Sequence, residues 1–172
     1  MTTIATSRRQ FLAATGATGL ATMLAGCNGS EEAAAPAAGN PYDGILGVQL
    51  YTVRDLFEAD AKATLEAVAS IGFKDVETAG LFEHKAEDVR AIIDDLGMTS
   101  RSGHVRLPSL KEGLGADIEA ANILGQDRLY LGWIPEEERT LDGYRALADL
   151  LNEGGVAAQK QGIKVGYHNH EF

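Results

Sequence analysis

Residues 61–78, AKATLEAVASIGFKDVET, hold one complete unit of the pattern that decides the fold. Ala61, Leu65, Val68 and Ala69 fall on one stripe, at the three-to-four-residue spacing of an amphipathic helix. Gly72 follows, and glycine just past a helix end takes the left-handed conformation at no steric cost. Then comes a short strand-like run, Lys74 to Thr78. The same helix–glycine–strand junction returns at Leu96-Gly97-Met98, Leu124-Gly125-Gln126 and Gln161-Gly162-Ile163. The four glycines stand 25, 28 and 37 residues apart, about the length of one strand, one helix and two short loops.

This unit predicts strands at 45–51, 74–78, 99–105, 128–133 and 164–168, with helices at 60–71, 85–96, 113–124 and 140–160. The second helix carries its stripe on Val89, Ile92, Ile93 and Leu96, and the fourth on Leu141, Tyr144, Leu147, Leu150 and Leu151. Gly154-Gly155 is expected to weaken or kink that fourth helix. Strict alternation predicts an α/β fold with parallel strands joined by right-handed crossovers. Two architectures satisfy it: a (β/α) barrel, which closes with eight strands, and an open doubly wound sheet, for which five suffice. Length alone favours the open sheet.

In both architectures chemistry gathers at the carboxyl ends of the strands. There the sequence places Gln49, Glu77, His104, Trp133, and finally His168, His170 and Glu171. Glu77 and His104 are the candidate catalytic residues, Gln49, Trp133 and His170 the candidate substrate contacts, with Trp133 as an apolar wall. Each also has a plainer reading: Glu77 as a solvated rim carboxylate, His104 as a structural histidine, Gln49 as a loop tie. His168 and His170 are expected on opposite faces unless the strand ends near Asn169.

An open-sheet nucleotide or flavin binder needs a glycine-rich phosphate loop after its first strand. Here that segment carries Leu56 and Phe57 and no glycine before Gly72. No Gly-x-Gly-x-x-Gly follows a strand, and the acidic pair of a receiver domain is missing from the same place. These features count against the open-sheet nucleotide folds.

The start of the chain reads as an address. Ser7-Arg8-Arg9-Gln10-Phe11-Leu12 precedes a mild Ala/Gly/Thr-rich run that ends at Ala25, too short and too weakly apolar for a span of roughly 20 residues. Paired arginines before such a run mark a twin-arginine signal peptide. Leu24-Ala25-Gly26-Cys27 resembles the lipobox of bacterial lipoproteins, which implies cleavage before Cys27 and lipidation of its thiol. Residues 1–27 are therefore expected to be the signal, 28–42 a flexible linker of small and polar residues, and 43–172 the folded part. The implied location is the periplasmic face or cell envelope, with lipid as the only membrane attachment.

Composition bounds the rest. The chain has 172 residues, 45% hydrophobic and 23% charged, with a net charge of −10. Such an acidic body repels phosphate backbones, so nucleic acid is not an expected partner. One cysteine excludes both a disulfide framework and a cysteine-rich metal site.

Two segments carry a family resemblance. Gly47-Val48-Gln49-Leu50-Tyr51-Thr52-Val53-Arg54-Asp55 and Gly162-Ile163-Lys164-Val165-Gly166-Tyr167-His168-Asn169-His170-Glu171-Phe172 resemble the first and fifth strands of the sugar phosphate isomerase/epimerase group. That group has a xylose isomerase-like TIM barrel. The resemblance extends from about Gly44 to Phe172 and implies an α/β TIM-barrel type with about five strands and four helices present. It implies one divalent cation, Mn²⁺, Mg²⁺ or Zn²⁺, a small carbohydrate substrate, and proton transfer next to a carbonyl. In this group the first metal ligand is a Glu ending the fifth strand; here His168 stands at that place, which makes His168 and Glu171 the candidate metal ligands. The remaining ligands belong to later strands, so the sequence is expected to be an N-terminal fragment, inactive alone, with open sheet edges that allow association. The alternatives are a metal-dependent lyase or hydrolase of keto-glycosides on the same barrel, or a sugar-binding lipoprotein without turnover.

Overall fold

The computed structural model describes residues 44–172. The expected export signal, Cys27 and the linker lie outside the described residues. Five strands form one sheet: β1 (Gly47–Gln49), β2 (Asp75–Thr78), β3 (Thr99–Val105), β4 (Arg128–Leu131) and β5 (Lys164–Tyr167). Six α-helices connect them: α1 (Arg54–Ala59), α2 (Ala61–Ile71), α3 (Ala86–Asp95), α4 (Leu107–Lys111), α5 (Gly115–Leu124) and α6 (Leu141–Gln159). Every neighbouring pair is parallel, and the spatial order is β1-β2-β3-β4-β5.

That order decides between the two architectures. A doubly wound sheet reverses its strand order and places helices on both faces. Here the order never reverses, and the helices pack on one face. Val48 and Val76 meet the stripes of α2 and α3 in one apolar cluster. Val105, Leu129, Leu131 and Val165 meet α5 and α6 in a second. Successive strand residues alternate faces, so the opposite face carries Gln49, Glu77, His104 and Tyr130. One covered face and one inward-facing polar face are the pattern of a barrel segment.

Local chemistry fixes the helix ends. Asp60 accepts a hydrogen bond from Ala63 N at 2.9 Å at the start of α2, and Thr140 accepts one from Gly143 N at 3.0 Å at the start of α6. Each cap satisfies a backbone donor that has no partner within its helix. Gly72 ends α2 at φ 110, in the left-handed region that a side chain would strain.

Three local expectations need correction. The first strand stops at Gln49, and Leu50–Val53 turn through a short 3-10 helix into α1. This turn folds Leu50 and Phe57, 1% and 0% exposed, back onto α2; a straight strand would carry them past the core. Next, α4 is a single turn absent from the pattern, too short to show a period. Finally, α6 runs without interruption through Gly154-Gly155. A Cβ at Gly154 would lie 2.8 Å from Leu110 Cδ1 and 3.1 Å from Leu114 Cδ1. The glycine there lets the α4 segment approach α6.

Phe57 is the largest fully buried side chain among the described residues. Phe57→Ala should destabilise the chain by about 3–5 kcal/mol. Urea unfolding is expected to show a lower midpoint with an unchanged slope.

Candidate metal and substrate centre

Register determines which side chains meet at the strand tips. Gln49 lies opposite Glu77, and Glu77 opposite Ser102. One step further along, His104 lies opposite Tyr130, and Tyr130 opposite Gly166. The β2–β3 ladder contains an irregularity: Asp75 pairs with Thr99, but Glu77 pairs with Ser102. Over this stretch β3 advances three residues while β2 advances two. The extra residue is a β-bulge, which re-aims the side chains beyond it. Thr99 and Ser102 consequently share the inward face, since both hydroxyls donate to β2 carboxylates, to Asp75 Oδ1 at 2.5 Å and to Glu77 Oε2 at 2.6 Å.

Glu77 is the hub. Its Oε1 accepts a hydrogen bond from Gln49 Nε2 at 2.7 Å and lies 3.0 Å from His104 Nε2. Gln49 Nε2 is also 3.1 Å from His104 Nε2. The His104 hydrogen bond dominates in holding the Glu77 carboxyl down, at about 2; burial opposes it, and the Ser102 and Gln49 hydrogen bonds assist. Glu77 and His104 side chains are 22% and 13% exposed, so the pair is largely out of water.

Two glycines let β5 reach this pair. Gly132 follows β4 directly, and a Cβ there would overlap His104 Nδ1. Gly166 lies under the Tyr130 ring, where a Cβ would come within 3.1 Å. Across that gap the His104 and His168 rings meet with centroids 4.9 Å apart. One ligand atom each from Glu77, His104 and His168 lies within 4.8 Å of the others. Burial, then the neighbouring His104 and His170, lowers the pKa of His168 against the pull of Glu77. Its imidazole is therefore neutral at neutral pH, the form that binds a metal.

The donor set fits a divalent cation. Gln49 Nε2, Glu77 Oε1 and His104 Nε2 all lie within 3.1 Å of one another, and no arrangement of protons satisfies all three contacts with neutral imidazole. Glu77, His104 and His168 each offer one lone-pair donor of the oxygen or nitrogen type, and the three converge.

A cavity of about 810 Å³ opens beside this centre, bordered by Gln49, His104, His168 and His170 and walled by Leu107, Pro108, Trp133 and Pro135. Trp133 is 53% exposed, with the Arg139 guanidinium 5.2 Å from its ring. His170 Nε2 donates to Gly132 O at 3.1 Å. The expectation that sent His168 and His170 to opposite faces is wrong: positions i and i+2 share a face, β5 ends at Tyr167, and the two rings lie 5.1 Å apart at the same cavity. Glu171 stands apart from the cluster, 94% exposed and 4.0 Å from His170 Nδ1. Ser102, Gly132 and Tyr51 join the centre or its cavity without having been singled out by sequence. For Gly132 a signal existed, since glycine at a strand end marks close approach of another group.

No protein-family model and no curated protein sequence matches the chain. Solved structures do. A sugar phosphate isomerase/epimerase from Parabacteroides distasonis superposes with TM-score 0.58 at 22% identity, covering 73% of this chain and 51% of its own. A family 2 AP endonuclease from Brucella melitensis gives TM-score 0.60 at 12% identity, covering 72% and 54%. A xylose isomerase-like TIM barrel/4-hydroxyphenylpyruvate dioxygenase fusion protein gives 0.52 at 24%, covering 72% and 22%. The fold is that of xylose isomerase-like TIM barrels. The described residues form a five-stranded part of it, and the chain spans about half the length of the isomerase/epimerase and the endonuclease.

The Glu77 network carries a pH signature. Its carboxyl falls from an ordinary 4.5 to about 2 in the fold. A depressed carboxyl contributes stability that is present above the unfolded value and lost as pH falls through the folded one. The wild type should lose about 1–3 kcal/mol between pH 4.5 and 2 from this group, with its partial exposure reducing the figure. Glu77→Gln should flatten that part of the acid limb, read by thermal melts at stepped pH.

Proposed function

We propose that the chain forms part of a metal-assisted sugar isomerase/epimerase-like enzyme. In this reading Glu77, His104 and His168 hold a divalent cation, and Gln49, Trp133 and His170 receive a polyhydroxylated carbonyl compound in the adjoining cavity. The observation that carries it is the meeting of one carboxylate and two imidazoles, from β2, β3 and the end of β5, beside that cavity. The likeness to the sugar phosphate isomerase/epimerase from Parabacteroides distasonis supports the same class. Two nitrogen ligands suit Zn²⁺ or Mn²⁺ better than Mg²⁺. When bound, such a cation polarises a carbonyl and stabilises charge developing on its oxygen.

The side chains of this chain divide the remaining work. A carboxyl held at about 2 is a weak base at neutral pH, so Glu77 is better suited to holding charge than to taking a proton from carbon. Gln49, fixed between Glu77 and His104, presents its amide at the cavity wall. Trp133 offers the apolar face on which a sugar ring stacks, and Arg139 steadies the indole. The shared fold by itself does not separate sugar chemistry from the phosphodiester chemistry in the endonuclease's name. The net charge of −10 favours the sugar, because an acidic surface repels a phosphate backbone.

The test is solvent exchange. Protein that includes the strands completing the barrel, supplied with Zn²⁺ or Mn²⁺, is incubated with keto- and aldo-sugars in D₂O, and deuterium at the carbon beside the carbonyl is read by NMR. The reading expects incorporation that EDTA abolishes and that His168→Ala lowers at least 100-fold. Absence of exchange with every sugar, or exchange indifferent to EDTA, contradicts it. Two cleavage products from a keto-glycoside would select the lyase or hydrolase alternative.

Export by the twin-arginine route and lipid attachment at Cys27 complete the proposal, supported by the Arg8-Arg9 and Leu24–Cys27 motifs. Cys27→Ala should move the protein from the membrane to the soluble fraction. Unchanged fractionation contradicts a lipid anchor.

A further inference from the structure

On the helix-packed side of the sheet, opposite the metal and substrate centre, lies a polar cluster inside an otherwise apolar layer. Gln126, in the turn between α5 and β4, is 6% exposed, Thr78 4% and Ser100 3%. Gln126 Nε2 donates to Ser100 Oγ at 2.8 Å and is 3.0 Å from both Thr78 Oγ1 and Ser102 O. Gly103 makes room for it: a Cβ there would stand 2.6 Å from Thr78 Oγ1 and 2.7 Å from Gln126 Oε1. An apolar side chain could fill the volume but would take a partner from the Thr78 and Ser100 hydroxyls and the Ser102 carbonyl, so volume alone does not explain a glutamine.

The residues it touches do. Thr78 follows Glu77. Ser102 gives its carbonyl to Gln126 and its hydroxyl to Glu77. Gly103 precedes His104. The amide grips both strands at the bulge that turns Ser102 and His104 inward. We propose that Gln126 is a positioning residue, whose amide pins the β3 bulge from behind and so holds Ser102 and His104 against Glu77. This rests on Glu77 and His104 forming the working pair of the proposed centre.

The test uses the full-length chain, metal-free, with ¹⁵N-labelled histidine at pH 7.5, reading the ring tautomer of His104. Wild type should show one tautomer, with Nε2 protonated and facing Glu77. Gln126→Leu should give mixed tautomers, as should the near-isosteric Gln126→Met, which keeps the side-chain volume, removes both amide donors from Ser100 and Ser102 and decides the matter if Gln126→Leu does not fold. Ile163→Val, a core change at the opposite end of β5, should keep the wild-type pattern. A folded Gln126→Leu or Gln126→Met with the wild-type spectrum overturns the proposal, as does equal mixing in Ile163→Val. In the same samples Co²⁺ absorption should appear for wild type and require at least ten-fold more cobalt for Gln126→Leu. No cobalt spectrum in wild type would remove the metal reading of the centre, while the tautomer comparison still decides the role of Gln126.

Discussion

One additional residue in β3 controls what the sheet can do. Parallel strands in strict register would carry the inward face from Thr99 to Arg101 and Val105, leaving Ser102 and His104 among the helices. The bulge between the Asp75 and Glu77 pairings reverses that. It turns His104 inward and leaves Val105 for the core. Strand order, single-sided helix packing and the two glycines at 132 and 166 then bring β5 close enough to add His168.

The resulting centre is polar in a way that packing would not favour by itself. Glu77 is surrounded by three hydrogen-bonding side chains and largely removed from water, and its ionised form persists because those partners outweigh desolvation. His168 shows the opposite balance: burial and neighbouring imidazoles keep it neutral. A carboxylate charged at neutral pH beside a neutral imidazole is a combination suited to binding a cation. The apolar wall of Leu107, Pro108, Trp133 and Pro135 continues from that polar end, so one cavity presents both a charge-handling floor and an apolar surface.

Much of this was legible in the sequence, for physical reasons that differ by element. Helix ends marked by Gly72, Gly97, Gly125 and Gly162 were visible because a left-handed cap position favours one residue type. The tips Gln49, Glu77, His104 and His168 were visible because strand ends in an α/β fold carry the chemistry. Barrel against open sheet was not decided by spacing, since both share one alternation; strand order and the single covered face decide it. The bulge has no signature in composition, and Ser102 went unnoticed with it. The grouping of Glu77 with His168, rather than His168 with Glu171, depends on a contact across three strands that local sequence does not encode.

The central claim is that the tips of β2, β3 and β5 converge on a single cation-binding point. Crystals of the full-length chain soaked in Zn²⁺, with diffraction recorded on both sides of the zinc absorption edge, test it most directly. The account predicts one dominant anomalous peak in bonding contact with the Glu77 carboxylate and with ring nitrogens of both His104 and His168. A peak at other residues, or none while those three side chains are ordered, would contradict it.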